Sequence, residues 1–546
     1  MPWETGAVAQ SSLTDAYGIG RRYEDGLDAV ARRRGAHFTP PAVAELLVAR
    51  SFAAWDRSGF PVVCDPSCGG GVFLVAAAEA LAARGADPRA VVDELVVGID
   101  LDPGAAGAAA EGLRAWAAGH GVADARPRVV VADALEPDMA SRTGPVDVVV
   151  GNPPFQNQLG GATARTAAER DALTTRFGAA VGGYVDVAAL FQLAALDLVR
   201  EGGVVTLIQP RSFLVARDVA AVRERLLDAG RLGEVWLPGV SLFDAKVDVC
   251  ATVLVVGGPG DAAVSVVGGR DADILHGSVD GGILRASPTW SAMWAVANGV
   301  PEVVAASGAT SVGSVATATA GFRDQYYGLL DHLHEREPQR GAQLVTTAMI
   351  DPARCSWGDR TVTVARRRRT TPWVDLAALE AADERLAAWV RRLAVPKVLV
   401  ATQTKVIEAV ADLDGRTVAF TPVIAVVPTD GVTAARIEAA LLAPAATAWA
   451  MRRFGGAGMS ANALKLAAKQ VLEIPLPVHR EPWDEAVSTL RGSSASETDG
   501  ERVSEPDWRE FGRLMNAAWG IDDDALVEWW MARLPNVERI VVDPIH

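Results

Sequence analysis

The sequence predicts an α/β protein, and three observations carry that expectation. From Phe38 to about Gly260, short apolar runs alternate with Ala- and Leu-rich helical stretches, the pattern of strands joined by helical crossovers in a mostly parallel sheet. Several of these runs end in an acid or a glycine turn, where α/β sheets place their ligands. Past Gly257-Gly-Pro-Gly260 the pattern loosens into short strands mixed with helices, as expected for a second, α+β domain. A chain of 546 residues has room for two or three domains.

The elements follow in order. Pro61–Cys64 reads as a buried strand and Val72–Ala83 as the helix after it. Glu94–Ile99 is a second strand, followed by a helix over Gly104–Ala118. Arg128–Ala132 and Val146–Val150 are the third and fourth strands. A helix over Val187–Arg200, a turn at Glu201-Gly-Gly and a strand at Val204–Ile208 come next. A helix over Ala216–Ala229 then precedes Cys250–Val256, one arm of a closing hairpin. Further on, helices are expected over Leu376–Leu393 and Ala434–Met451. The stretch 491–500 reads as a Ser/Gly-rich acidic linker, leading to a Trp-rich helical tail around Trp508–Leu534. The boundaries expected are thus 1–260, 261–480 and 481–546.

Composition excludes several classes. Half the residues are hydrophobic and 22% are charged, a globular balance. No apolar run reaches the roughly 18 residues of a spanning helix, and the start shows neither the basic nor the apolar region of a signal peptide. A soluble, cytoplasmic protein with no membrane partner is the expectation. Four cysteines (Cys64, Cys68, Cys250, Cys355) are too few for a disulfide scaffold and lack the paired spacing of a zinc site, so no metal is expected. A net charge of -15 argues against a protein that coats nucleic acid, but not against a local basic patch. One such patch lies between Arg340 and Lys405, with twelve Lys and Arg against six Asp and Glu. It contains Arg366, Arg367, Arg368 and Arg369. Arginine makes up 47 of the 52 basic residues, which looks like coding bias and tempers any reading of that patch.

The chemistry gathers at the expected strand ends. In Asp65-Pro66-Ser67-Cys68-Gly69-Gly70-Gly71, a strand ends in an acid, a glycine turn follows and a helix begins. Glycines let the backbone approach a ligand closely, and the helix start offers unpaired N–H groups. Asp100, in Ile99-Asp100-Leu101-Asp102, ends the second strand, where a carboxylate can accept both ribose hydroxyls. Asp133, in Ala132-Asp133-Ala134, ends the third and suits the exocyclic amine of an adenine. Each acid alone could be a helix cap, but three at successive strand ends form a pattern. Asn152-Pro153-Pro154-Phe155 follows the fourth strand.

In this order these segments resemble the amino-methyltransferases that use S-adenosylmethionine, whose signature is (Asn/Asp/Ser)-Pro-Pro-(Tyr/Phe/Trp). Phe38-Thr39-Pro40-Pro41, N-terminal to the glycine turn, is similar to the segment that closes over the methionine end of the cofactor in gamma-class N6-adenine DNA methyltransferases of the Taq and Eco57I type. Tyr184-Val-Asp186, Leu190-Phe191, Gln209-Pro-Arg-Ser-Phe213 and Ser241-Leu-Phe243 with Lys246 extend the resemblance over about residues 35–256. It implies a Rossmann-like methyltransferase domain followed by a variable target-recognition domain. Residues 455–465 and Ile474-Pro-Leu-Pro477 are similar to segments that close such domains.

What the resemblance implies is site-specific methylation of adenine N6 in double-stranded DNA, in a restriction-modification or phage-defence system whose other subunits are candidate partners. It assigns Asn152, Pro153, Pro154, Phe155 and Phe243 to the target base. Thr39, Pro40, Asp65, Pro66, Cys68, Gly69, Gly71, Asp100, Leu101, Asp133 and Ala134 fall to S-adenosylmethionine, and Arg366–Arg369 to DNA. Phe155 stands where Tyr is commoner, and stacking needs only a π-face. The alternatives are an N4-cytosine or RNA amino-methyltransferase, or a non-catalytic DNA-binding subunit. Cytosine-C5 chemistry is excluded because no cysteine follows Pro153 or Pro154.

Overall fold

The computed structural model describes residues 2–27, 39–155, 166–182, 185–243, 247–321, 323–429, 431–458, 463–492 and 506–535. Phe38, Tyr184, Lys246, residues 459–462 and most of the expected acidic linker lie outside the described residues. The chain forms two compact units, Met1–Gly299 and Val300–His546.

The first unit is built on a nine-stranded sheet. Its strands are β1 (Val63–Asp65), β2 (Val96–Asp100), β3 (Arg128–Val131), β4 (Val146–Gly151), β5 (Val199–Pro210), β6 (Gly230–Leu237), β7 (Val249–Val256), β8 (Val264–Gly268) and β9 (Ile274–Val279). They lie in the order β3-β2-β1-β4-β5-β7-β6-β8-β9. The run from β3 to β5 is parallel, and β7 inserts antiparallel between β5 and β6. The central strands are apolar on both faces because both are covered. Val63, Val148 and Val150 pack into one core, while Cys64 and Val149 pack into the other. Successive residues of a strand point to opposite faces, so each strand feeds two cores.

Helices α1 (Pro2–Asp25), α2 (Pro41–Ala54), α3 (Val72–Ala83) and α4 (Pro103–Gly119) serve the first core, through residues such as Ala16, Leu47, Leu74 and Trp116. Helices α5 (Val187–Leu198) and α6 (Ala220–Ala229) serve the second, through Leu190, Leu193 and Leu226. Local chemistry sets the helix starts. Asp102 caps α4 by accepting the Gly104 N–H at 2.8 Å, with Pro103 as the first helical residue. Asp186 caps α5 in the same way through Ala188.

Two expectations shift. The turn expected at Glu201-Gly-Gly lies inside β5: Val199 pairs with Val146 and Val204 with Val148, so the intervening residues form a bulge, and Gly202 takes φ +75° within it. The first unit also continues past residue 260, because β8 pairs with β6 and the following segment packs back on the sheet. Arg223 holds that return: buried in α6, it donates to the carbonyls of Phe213, Ala216 and Pro288, and burial pushes its guanidinium down to about 10. A glycine-rich stretch marks a turn there, and the packing partner of the returning chain lies far away in sequence.

The second unit holds two four-stranded sheets. One orders Ala316–Ala320, Ile424–Pro428, Lys397–Val400 and Ala409–Asp412; the other orders Leu333–His334, Trp373–Asp375, Gly341–Val345 and Thr417–Ala419. The expected Trp-rich tail is helical over Trp508–Trp519 and Asp524–Met531, with Trp530 fully buried. The helix expected over Leu376–Leu393 is split at Asp383, which caps its second half through the Leu386 N–H.

Lys397 is fully buried and paired with Asp412, whose second role is to accept the Thr417 hydroxyl at 2.6 Å. Removing one member of a buried ion pair leaves the other charge unmatched, at a cost of about 3–5 kcal/mol. Asp412→Ala should lower the urea midpoint of the second unit accordingly. The double variant Lys397→Met/Asp412→Leu should recover only the part due to the unmatched charge, because the Arg416 and Thr417 N–H groups and the Thr417 hydroxyl still lose their acceptor.

Candidate active site

Because β3-β2-β1-β4 run parallel, their carboxyl ends meet on one edge of the sheet. Asp65 and Asp100 are the last residues of β1 and β2, Asp133 follows β3, and Asn152 follows β4.

The glycine turn is fastened to the neighbouring strand. Cys68 donates its N–H to the Ile99 carbonyl at 2.9 Å, and Gly69 donates to Asp100 Oδ2 at 2.8 Å. Gly71 closes the turn on the Cys68 carbonyl at 2.8 Å and then caps α3 with φ +88°. No other residue fits there: a Cβ on Gly71 would stand 2.9 Å from the Ala109 Cα of α4. Cys68 is buried and its thiol is pushed well up by desolvation, so it packs and is not a nucleophile.

Asp65 is almost fully buried and accepts the Ser67 N–H at 3.0 Å. Burial pushes its carboxyl up to about 8, with the Ser67 N–H opposing and Asp100 adding to the rise. Gly151 makes room for it, since a Cβ there would collide with Asp65 Oδ1. Asp100 also accepts the Asp102 N–H at 2.9 Å, and its carboxyl is raised by burial. Asp133 accepts the Leu135 N–H at 2.9 Å, and the Ala132 N–H reaches the Asp100 carbonyl at 2.9 Å, joining the second and third acids through the backbone. Pro66 and Ala134 are buried, whereas Leu101 is 70% exposed beside Asp100.

At the fourth strand, Asn152 donates from Nδ2 to Thr39 Oγ1 at 3.1 Å, across 113 residues of chain. Thr39 is buried, and Pro40 leads directly into α2. The amide is thereby oriented, and its Oδ1 is buried with no hydrogen-bond partner among the described residues. Pro153 is buried, Pro154 is half-buried, and Phe155 and Phe243 are both half-buried against the same apolar core. The Ser241 hydroxyl donates to the Phe243 carbonyl at 2.9 Å, bracing that loop.

Two residues escaped sequence reading. Glu24 of α1 accepts the Gly70 N–H at Oε1, at 3.2 Å, and Tyr23 donates its hydroxyl to Asp102 Oδ2 at 2.6 Å. That bond leads the lowering of the Asp102 carboxyl. The first 35 residues read as polar and mixed, yet Ala16, Gly20 and Tyr23–Glu24 recur at helical spacing.

In the second unit, the arginine run forms a hairpin. Val362–Val364 pairs antiparallel with Arg367–Arg369, and the two-residue turn Ala365-Arg366 takes φ +50° and +64°, the values of a type I′ turn. Arg366, Arg367 and Arg368 are exposed, with no ion pair among the described residues. Arg369 is turned inward, with its side chain 11% exposed, and faces Glu335 and the Leu333 carbonyl. Elsewhere in the basic window, Arg340, Arg360 and Arg391 are paired with Glu380, Asp351 and Glu384.

The strand order is that of the S-adenosylmethionine-dependent methyltransferase fold. Residues 15–261 match the family model described as N-6 DNA Methylase. Among solved structures, the Type IIL restriction-modification enzyme MmeI, in complex with DNA, is similar at a TM-score of 0.58 and 13% identity, over 94% of this chain and 81% of that one. The type IIG restriction endonuclease BpuSI is a looser likeness, with a TM-score of 0.44 and 14% identity over 92% of this chain and 66% of that one. Among the described residues, no helix is long and apolar enough to cross a membrane, and no group of His, Cys, Asp and Glu is arranged to hold a metal.

The state of Asp65 sets a pH dependence. Its carboxyl is protonated in the folded chain until about pH 8 but ionises above about pH 4 when unfolded. Its contribution to stability is full below the unfolded value and is lost as pH rises through 8. Thermal unfolding of the cofactor-free protein should therefore show a midpoint that falls between pH 5 and 8, and Asp65→Asn should flatten that fall.

Proposed function

We propose that the chain methylates N6 of an adenine rotated out of double-stranded DNA, using S-adenosylmethionine, as the modification activity of a restriction-modification or defence system. The observation that carries this reading is the buried Oδ1 of Asn152, without a partner among the described residues and oriented by Thr39. A buried acceptor left unpaired costs about 1–3 kcal/mol. An amine N–H offered by a substrate removes that cost at the moment the substrate is seated.

The residues present fit the cofactor. The positive φ values of Gly69 and Gly71 carry the chain from the end of β1 straight into α3, between the acids at the strand ends and α1. Asp100 would hold the ribose hydroxyls, the exposed side chain of Leu101 would offer an apolar face to the purine, and Asp133 would accept from its amine. Thr39 and Pro40 would hold the methionine end. When bound, the sulfonium supplies an activated methyl group, so a new N–CH3 bond replaces the S–CH3 bond and the nitrogen sheds one proton to water.

The chain's own residues do the rest. The adenine amine is a weak nucleophile because its lone pair is delocalised into the ring. Asn152 Oδ1 accepts one N–H and the Pro153 carbonyl the other, which draws the nitrogen towards tetrahedral geometry and aims its lone pair. Productive attack then needs an approach of roughly 3–3.5 Å, a matter of positioning. Turning the base out of the duplex costs a few kcal/mol, and stacking on Phe155, with Phe243 beside the same core, offsets about 1–3 kcal/mol of it. The gamma-class arrangement is supported by the Thr39–Asn152 bond, which joins the segment before the glycine turn to the catalytic loop.

The arginine hairpin is the proposed DNA contact of the second unit. The positive φ of Ala365 and Arg366 is what a two-residue type I′ turn requires, and it places Arg366 at the tip of the hairpin. Arg366, Arg367 and Arg368 serve this role, while Arg369 braces the hairpin from within.

Asn152→Ala should bind S-adenosylmethionine as the parent does in calorimetry, yet lose at least a hundredfold in transfer of tritiated methyl to adenine. Parent-like turnover in that variant would sink the assignment. Replacing Arg366, Arg367 and Arg368 together by Ala should weaken DNA binding and reduce the log–log salt slope by about 0.9 for each phosphate that is no longer neutralised. Cofactor affinity should stay unchanged, and an unaltered slope would return the hairpin to plain surface.

A further inference from the structure

We propose that Glu24 of α1 is a positioning residue for the cofactor, holding the glycine turn in the shape that receives it. This rests on the S-adenosylmethionine reading above. The turn has three donors to place. Gly69 gives its N–H to Asp100, Gly71 gives its N–H to Cys68, and Gly70, between them, gives its N–H to Glu24 Oε1. The first two acceptors belong to the sheet and the turn itself, whereas the third comes from a helix nearly fifty residues upstream.

The fit of that helix is close. Gly20 lies backbone to backbone on Gly70: a Cβ on Gly70 would stand 2.6 Å from the Gly20 Cα, and one on Gly20 would collide with the Gly70 carbonyl. Glu24 follows one turn later on the same face, within 3.3 Å of where a Cβ on Gly69 would sit. Its neighbour Tyr23 reaches Asp102, the cap of α4. Consecutive residues of α1 thus fasten the approach to α3 and the start of α4, the two helices that follow the cofactor-facing strand ends. Tyr17 adds a third tie by donating to Glu45 of α2 at 3.0 Å.

Glu24 is costly where it stands. Its Oε2 is buried with no partner among the described residues, and burial raises its carboxyl. A residue kept only to fill space beside Gly70 could be apolar. An acceptor is required because an unpaired Gly70 N–H would free the middle of the turn to rotate. Restraint of the turn, more than the charge of the carboxylate, is therefore the role assigned.

The test separates that role from general support of the fold. Glu24→Gln keeps an acceptor for the Gly70 N–H, and Glu24→Ala removes it. In calorimetric titration of the full chain with S-adenosylmethionine, Glu24→Ala should bind about tenfold more weakly, the scale of one modest hydrogen bond, and Glu24→Gln within about twofold of the parent. Amide exchange at Gly70 should be slow in the parent and in Glu24→Gln, and fast in Glu24→Ala at an unchanged unfolding midpoint. Gly20→Ala, which pushes α1 off the turn without touching Glu24, should weaken binding as well. Parent-like affinity in Glu24→Ala, or equal losses in Glu24→Ala and Glu24→Gln, would overturn the proposal. Asp100→Ala is the control: if it also binds the cofactor normally, the S-adenosylmethionine reading itself fails, and if it alone weakens binding, only the role of Glu24 does.

Discussion

The hydrogen bond from the Gly69 N–H to the Asp100 carboxylate is the constraint on which the site depends. It joins the turn after the first strand to the end of the second, so two segments about 30 residues apart become one surface. Around it the other contacts fall into order: Cys68 on the Ile99 carbonyl, the Ala132 N–H on the Asp100 carbonyl, and Asp65 in the space that Gly151 leaves. The bond is possible only because the strands are parallel and adjacent, which brings their carboxyl ends to one edge.

Burial makes this edge electrostatically unfinished. Asp65, Asp100 and Glu24 each carry a carboxyl raised chiefly by desolvation, and each is balanced in part by a backbone N–H. A site of buried, partly satisfied carboxylates suits a ligand that brings hydroxyls, amines and positive charge. Asn152 adds the complementary demand, an acceptor that waits for a donor. Stability given up in these groups is recovered in the two apolar cores, where strands are covered on both faces.

The basic window of the second unit shows how far a count of charges can mislead. Much of its excess is matched internally, in pairs such as Arg360 with Asp351 and Lys397 with Asp412. Of its exposed cations with no ion pair among the described residues, Arg366, Arg367 and Arg368 share one hairpin, while Arg385, Arg392 and Lys405 stand elsewhere.

Local chemistry was enough to read much of this protein from its residues. The strands at Val63, Val96, Val146 and Val249 and the helices at Val72, Pro103 and Val187 are written in apolar runs, caps and prolines, each acting within a few residues. So was the order of acids and of Asn152-Pro153-Pro154-Phe155, because the chain itself carries that order. Long-range packing settled the rest. The Thr39–Asn152 bond spans 113 residues, β8 and the segment held by Arg223 return to a sheet that the glycines at 257–260 read as closing, and Arg369 turns in because Glu335 happens to face it. Glu24 belongs to the same group: its meaning lies in the Gly70 N–H it meets, and a helix of mixed polarity gives no sign of that partner until the chain has folded.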